Sequence, residues 1–364
     1  MQVFHFILDH RIGGPHVYVK TVRDALQSQA KSTIVTTGSG PATEIALTNF
    51  RHRLRLLYPL EIVCNVAQLC WRFRRGGDRT GVIFDVHGAA NLAPILAARL
   101  LGVPVVWHFH ETVAAFSSLV KLGQIALAGV PHRYVVVAET SAQVFGIESP
   151  RLIPGAVDTA FWRLDEKKAE CRTRTTDPRL RLIAVGNLNP LKGMDNLLTA
   201  LGGLNMPWEL VIVGAELSTF HQYAASLRSQ AAALARADAH VDFVGWQSPE
   251  AVRSLFEYAD AFVLPSRSEA CPLALLEAMA MERACIASEV GDVKRMLGGE
   301  ECGITVPAGS PVALTAALER IASLGEGGRR EMGRRARARV VAEYSKTKLA
   351  QRHLDTYLEL VRDV

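Results

Sequence analysis

Short runs of β-branched and aliphatic residues alternate with amphipathic stretches along nearly the whole chain, and this alternation restricts the fold more than any other feature. In the first half the runs are Val3–Asp9, Ser32–Thr37, Gly81–His87, Val103–His110 and Tyr134–Ala138, with a shorter one at Leu152–Ile153. In the second half they are Arg181–Gly186, Glu209–Gly214, Val241–Gly245, Ala261–Pro265, Ala284–Ser288 and Gly303–Val306. Helical patterns such as Asn91–Leu101, Asp195–Leu201 and Pro311–Leu324 lie between them. Strands that are apolar throughout are covered on both faces, and interleaved helices make the sheet parallel. Two such series in 364 residues predict an α/β protein of two doubly wound domains. The charged, aperiodic segment Asp165–Pro178 (DEKKAECRTRTTDP) is expected to link a domain over 1–164 to one over 179–345.

Composition removes several function classes. With 49% apolar residues the chain can bury two cores, yet no apolar run is long enough to span a bilayer. The N-terminal MQVFHFILDHRIGG has no cationic region and no small-residue cleavage site, so it reads as a first buried strand rather than a signal peptide. Six cysteines form no CxxC pair and no zinc spacing, which fits reduced thiols in a cytoplasmic protein. A formal charge of +5 permits anionic ligands or a membrane surface and does not indicate nucleic acid. The loop His10–Pro15 (HRIGGP) is not GxGxxG, which argues against a dinucleotide dehydrogenase, and no Asp-x-Asp stands at a strand end, so no metal is expected.

In open parallel sheets ligands bind beyond the carboxyl ends of the strands. One such loop belongs to Phe262–Met281 (FVLPSRSEACPLALLEAMAM), where Pro272 fits the first position of a helix. Glu277 falls about a turn and a half into that helix, in a run otherwise wholly apolar. A carboxylate there is costly unless it meets a donor, and the hydroxyls of a ribose or sugar would serve. Glu269 stands eight positions earlier in the loop. The helix N-terminus between them suits a diphosphate. The plainer reading, one helix-start carboxylate and one solvent-facing carboxylate, fits the apolar surroundings of Glu277 less well. A second loop, Val185–Gly193 (VGNLNPLKG), offers Lys192 to a leaving diphosphate; a solvated loop lysine is the ordinary alternative.

The stretch EACPLALLE resembles the E-x7-E motif of retaining GT-B glycosyltransferases, specifically glycosyltransferase family 4 (group 1). The resemblance implies that Glu269 contacts donor-sugar hydroxyls, that Glu277 contacts the ribose, and that amides around Cys271 and Leu273 hold the distal phosphate. GNLNPLKG is similar to the family's GR-x4-KG loop, with Asn187 where an arginine is usual. One cation on the phosphates is therefore missing; either Arg267 or a main-chain contact compensates, or activity is weakened. HRIGGP resembles the glycine pair that sits over the donor phosphates and acceptor, which points to Gly13 and Gly14. In Val103–Thr112 (VPVVWHFHET) alternation puts His108 and His110 on one side. His110 resembles the family histidine beside the reacting sugar, and His87 is a second candidate. Gly214 with Glu216, and Gly245 with Trp246, occupy loops that would border the nucleotide base. IPGAVD is similar to an interdomain IPNGVD segment, with Gly155 replacing the asparagine.

The resemblance further implies two Rossmann-like domains facing across a cleft, with the last helix, 346–364, packing back on the first. It implies metal-independent, retaining transfer of a hexose-type sugar from a nucleotide-diphosphate sugar, with no further cofactor, to a glycan or lipid-linked acceptor in cell-surface polysaccharide or glycolipid synthesis. A GT-B epimerase of nucleotide sugars and a degenerate, non-catalytic sugar-nucleotide-binding subunit are the alternatives. Arg51–Arg79 surrounds an apolar helical stretch with arginines. It reads either as a face lying on the anionic inner surface of the cytoplasmic membrane or as a packed helix with a basic rim. Arg329–Arg339 reads as the solvent face of a helix.

Overall fold

A computed structural model of the chain describes residues 1–8, 14–37, 43–48, 58–76, 79–112, 114–165 and 178–363. The chain divides into two compact units, Met1–Ala156 with Lys346–Val364, and Val157–Ser345. Of the expected linker only Asp165 and Pro178 are described. The division falls ahead of it because Val157 and Trp162 already lie in the second unit's core. There Val157 donates to the Tyr344 carbonyl at 3.0 Å.

The first unit runs β1 (Gln2–Ile7), α1 (Gly14–Leu26), β2 (Lys31–Thr37), β3 (Ile45–Leu47), α2 (Tyr58–Arg75), β4 (Val82–His87), α3 (Leu92–Leu101), β5 (Val105–Phe109), α4 (Ser117–Ala126), β6 (His132–Val136), α5 (Glu139–Phe145) and β7 (Arg151–Leu152). Its strands pair in parallel in the order β3-β2-β1-β4-β5-β6-β7. Every residue of β4 and β5 is buried, the polar Asp85, His87 and His108 among their apolar neighbours. Helix α3 is apolar almost all round and ends at Gly102, whose φ of 67° caps it in the left-handed region.

The second unit runs β8 (Leu180–Val185), α6 (Met194–Gly202), β9 (Trp208–Val213), α7 (His221–Leu234), β10 (Ala239–Gly245), α8 (Pro249–Tyr258), β11 (Ala261–Leu264), α9 (Leu273–Ala280), β12 (Ala284–Ser288), α10 (Val293–Leu297), β13 (Ile304–Val306), α11 (Pro311–Ser323) and α12 (Gly325–Glu343). Its parallel order is β10-β9-β8-β11-β12-β13. Ser248 and Ser310 each cap a helix whose first residue is proline, the favoured arrangement at a helix start. Both sheets are doubly wound, and their strand orders reverse between β1 and β4 and between β8 and β11.

The basic face read at Arg329–Arg339 is only partly one. Arg334 and Arg335 are exposed and pair with Glu331. Arg337 instead donates to the carbonyls of Thr159, Trp162 and Ala280, and Arg339 to those of Arg295 and Met296. These two arginines tie α12 to residues 159–162 and to the ends of α9 and α10.

The last helix, α13 (Lys346–Arg362), belongs to the first unit. It buries Leu349, Ala350 and Leu360 and pairs Glu359 with Arg151 and Asp363 with Arg133. It also completes a buried polar network. Asp85, fully buried in β4, accepts from His5 Nδ1 (2.7 Å), His87 Nε2 (3.0 Å), His108 Nε2 (2.6 Å) and the Tyr357 hydroxyl (2.9 Å). His353 Nδ1 lies 3.1 Å from the Tyr357 oxygen, and its Nε2 lies 2.9 Å from the Tyr18 hydroxyl. Burial alone would raise the Asp85 pKa. The attraction of His108 and His87, with hydrogen bonds from His108 and His5, outweighs it and holds the carboxyl well below its ordinary value. The Tyr357→Phe substitution removes one donor from a buried carboxylate. It should cost the first unit about 1.5–3 kcal/mol in a denaturant titration and speed hydrogen exchange across α13; an unchanged midpoint would show the hydroxyl to be dispensable.

Candidate functional site

In the second unit the order reversal sets the ends of β8 and β11 side by side, and the loops after them carry Asn187, Lys192, Arg267, Glu269 and Cys271. After β8 the chain passes Gly186 and Asn187 to a single 3-10 turn, Pro190–Lys192, capped by Asn189, whose side chain accepts from the Leu191 N–H at 3.0 Å. Gly193 follows with φ of 62°, and a Cβ there would meet the Pro265 carbonyl oxygen at 2.1 Å. Only glycine gives both that conformation and that approach, so the lysine loop rests directly on the loop after β11. The Arg267 N–H closes the same seam on the Leu191 carbonyl at 2.7 Å.

Across the seam Lys192 Nζ donates to Glu269 Oε1 at 2.5 Å, and the buried Ser266 hydroxyl donates to the same oxygen at 2.8 Å. Lys192 and Glu269, named separately from the sequence, are thus one ion pair. The backbone carrying Glu269 is pinned from behind by Gly291, whose φ of 50° lets it sit where a Cβ would be 2.3 Å from the Glu269 carbonyl. Asp292 adds a hydrogen bond to the Ala270 carbonyl at 3.0 Å.

Arg267, one of the groups offered as a replacement for the arginine that Asn187 displaces, is engaged with the lysine loop in this structure. Its guanidinium grips both Asp195 oxygens (2.7 and 2.6 Å), the Pro190 carbonyl (2.8 Å) and Asn196 (3.0 Å). Its positive charge is matched by a carboxylate, and it braces the lysine loop. Asn187 has a main-chain role: its side-chain oxygen accepts from the Ala215 N–H at 3.1 Å, joining the loops after β8 and β9. Gly214 in turn donates to the Gly245 carbonyl at 2.9 Å, which brings the Glu216 and Trp246 loops together. Glu216 pairs with Arg228 at 3.0 Å, while Trp246 is 72% exposed.

Helix α9 starts at Leu273, with Pro272 as its N-cap, one place earlier in the helix numbering than expected. A proline cap has no side-chain acceptor, and among the described residues no side chain caps the first amides of α9. Cys271 packs its sulfur 4.0 Å from that of Met296. Glu277 lies on α9 with no side-chain partner among the described residues, and burial pushes its pKa up to about 8.

In the first unit His110 follows β5 directly, half-buried, with its ring 6.1 Å from that of His108 and near-parallel to it, on the same side as expected. His87, the second candidate, is its neighbour: His87 Nδ1 and His110 Nε2 are 3.0 Å apart. Gly14 begins α1; Gly13 and the rest of its loop lie outside the described residues. Glu111, passed over in the sequence, accepts from the Ala89 and His110 N–H groups at 3.1 Å each, and burial raises its pKa. One ring nitrogen from each of His87, His108 and His110 lies within 4.8 Å of the others, close enough for a cation. Their rings, however, are within 31° of parallel, a poor arrangement for aiming three in-plane lone pairs at one ion.

Glu277 gives a prediction whose sign can be worked out. Its folded pKa of about 8 exceeds the ordinary 4.5, so between those values the fold holds a proton that the unfolded chain has released. The stability of the second unit therefore falls as pH rises through that window. The Glu277→Gln substitution should raise the melting temperature progressively from pH 4.5 to 8 and level off above it; a pH-independent difference would contradict the shift.

The sequence model described as "Glycosyl transferases group 1" matches residues 166–339. The chain is 27% identical over 262 residues to a D-inositol 3-phosphate glycosyltransferase of Segniliparus rotundus, a match covering 64% of this chain and 58% of that one. It is 30% identical over 260 residues to a phosphatidyl-myo-inositol mannosyltransferase of Mycobacterium tuberculosis, covering 65% and 62%. The chain thus spans about three-fifths of the length of these curated relatives. Among solved structures, a glycosyltransferase from Rickettsia africae superimposes with a TM-score of 0.83 at 16% identity, covering 100% of this chain and 99% of that one. Anabaena HepE, in complex with UDP and glucose, superimposes with a TM-score of 0.80 at 15% identity, covering 99% and 100%; at such identity the likeness is one of fold. Residues 166–339 thus match the group 1 glycosyl transferases, and the chain has the GT-B fold of the solved glycosyltransferases.

Proposed function

We propose that this chain transfers a hexose-type sugar, with retention of configuration and without a metal ion, from a nucleotide-diphosphate sugar to a glycan or lipid-linked acceptor. The observation carrying this reading is the Lys192–Glu269 pair beside the uncapped start of α9, with an unpaired Glu277 on the same helix. Each group has a task. Lys192 and the first amides of α9 take the charge that grows on the departing diphosphate. Glu269 turns from Lys192 to the sugar hydroxyls, and Glu277 receives the ribose hydroxyls, which supply the donors that its surroundings lack. His110 contacts the transferred sugar. Lys192, whose partner Glu269 turns to the sugar, is the cation assigned to the diphosphate, while Arg267 stays on Asp195 and braces the loop. The names of the relatives, one carrying D-inositol 3-phosphate and the other phosphatidyl-myo-inositol, support a polar, phosphorylated acceptor, in the second case a lipid-linked one.

A screen of UDP-, GDP- and ADP-sugars by thermal shift tests the donor site. One nucleotide family should stabilise the wild-type protein and leave Glu277→Ala unmoved. The Lys192→Ala variant should lose transfer by roughly 100- to 1000-fold, with wild-type transfer persisting in EDTA. No shift with any donor would defeat the reading; a shift without transfer or hydrolysis would favour a degenerate binding subunit, and release of free epimer without acceptor an epimerase.

The acceptor side bears on α2. Its inner face buries Leu69, Cys70 and Phe73 in the first unit's core. Its outer face exposes Leu60, Val63 and Trp71 at one helical stripe, followed by Arg72, Arg74 and Arg75, with the Arg75 guanidinium 4.6 Å from the Trp71 ring centre. Residues 51–57 and 77–78 of the stretch lie outside the described residues. We assign this stripe to an anionic membrane surface, where apolar side chains insert and arginines meet headgroups. Trp71→Ala and charge reversal at Arg74 and Arg75 should each weaken binding to anionic vesicles, as should raised salt; wild-type binding equal on neutral and anionic vesicles would refute it.

A further inference from the structure

The buried network of the first unit ends on His110, and its hydrogen-bond logic runs in one direction. Asp85, ionised, can only accept, so His87 Nε2, 3.0 Å away, carries a hydrogen. Burial, against the pull of Asp85, lowers the His87 pKa to about 4 and keeps the ring neutral, so its Nδ1 is bare. His110 Nε2 lies 3.0 Å from that bare nitrogen and must donate to it. Burial, reinforced by His87 and His108, also holds His110 neutral, so the one hydrogen on Nε2 leaves His110 Nδ1 bare. No side chain among the described residues pairs with that Nδ1.

The surroundings hold each ring in place. His87 stacks on His108 with ring centres 4.3 Å apart, and Tyr18 meets the His110 ring edge-on at 5.0 Å. Asp85 is itself fixed by His5, His108 and Tyr357, and Tyr357 is fixed by His353. Glu111 holds the His110 main chain. The titratable groups facing the relay are therefore His5, Tyr18, His108, Glu111, His353 and Tyr357.

We propose that Asp85 and His87 are positioning residues that hold His110 in a single tautomer, with Nδ1 bare to accept a hydrogen from a substrate hydroxyl. The inference rests on the reading of His110 as a contact to the transferred sugar and adds the chemistry of that contact: the sugar donates, His110 accepts. An isolated neutral imidazole exchanges its tautomers freely, and those molecules with the hydrogen on Nδ1 would present an N–H to the hydroxyl instead. The relay removes that tautomer.

The test uses the full chain labelled with ¹⁵N-histidine. Long-range ¹H–¹⁵N spectra report each tautomer, with His110 assigned by its absence in His110→Ala. Wild type should show His110 protonated at Nε2 alone. In His87→Gln the amide still reaches toward Asp85 but offers no acceptor at the Nδ1 place. There His110 should become a mixture, with kcat down on the order of 10-fold or more and donor KM unchanged. In His87→Asn the side-chain oxygen stands where Nδ1 stood, and it should restore the single tautomer and recover much of the lost kcat. An unaltered His110 tautomer in His87→Gln would overturn the proposal. So would equal losses of kcat in both variants that merely follow their melting temperatures. Wild-type turnover by His110→Ala would instead remove the underlying reading of His110. An impaired His110→Ala beside a fully active His87→Gln would remove the relay alone.

Discussion

A parallel sheet delivers the carboxyl ends of neighbouring strands to the same edge, and where the strand order reverses, two loops that leave in opposite directions open a gap between them. The donor site proposed in the second unit depends on that constraint. Lys192 follows β8 and Glu269 follows β11, 77 positions apart, and they meet because those two strands are partners. The meeting is held by close backbone approach more than by side chains. Gly193 against Pro265, and Gly291 against Glu269, are contacts that no other residue fits. The Arg267–Asp195 pair then stiffens the lysine loop from behind, so the site is a braced frame around a charged pair that a ligand can rearrange.

Much of this was legible beforehand. The alternation of apolar strands and helices gave both sheets, because strands buried on two faces have a distinctive composition; β3, three residues long, was too short for that signal. Glu277 stood out as a charge in an apolar helix. The same argument applies to Asp85 in Val-Ile-Phe-Asp-Val-His, a charge in a strand with every residue buried, and it would have found the network in the first unit. What no local pattern carries is the identity of the partners. Tyr357 and His353 lie some 270 positions from Asp85 in a helix whose spacing looks ordinary. Arg267 looked available in a polar loop, and only three dimensions reveal Asp195 beside it. The domain boundary was misplaced for a related reason. Residues 157–165 read as a tail of the first series of strands, while the contacts that claim Val157 and Trp162 come from α12, far along the chain.

The two units handle buried charge in opposite ways. In the first, one carboxylate is surrounded by four donors and stays ionised. In the second, Glu277 has no side-chain partner among the described residues and keeps its proton to about pH 8. A satisfied charge favours rigidity, and an unsatisfied one stores free energy that a ligand supplying the missing donors recovers. On this view the first unit is built to hold a side chain still and the second to gain on binding.

The placement of α13 has a consequence for biosynthesis. The first sheet is translated early, yet Asp85 lacks the Tyr357 hydroxyl until 272 further residues have been made. The whole second unit is translated before the helix that finishes the first. Domains usually mature in the order they emerge; here the earlier one must wait with a buried carboxylate one donor short. The completed second unit thus becomes a long loop whose closure seals the fold that began first.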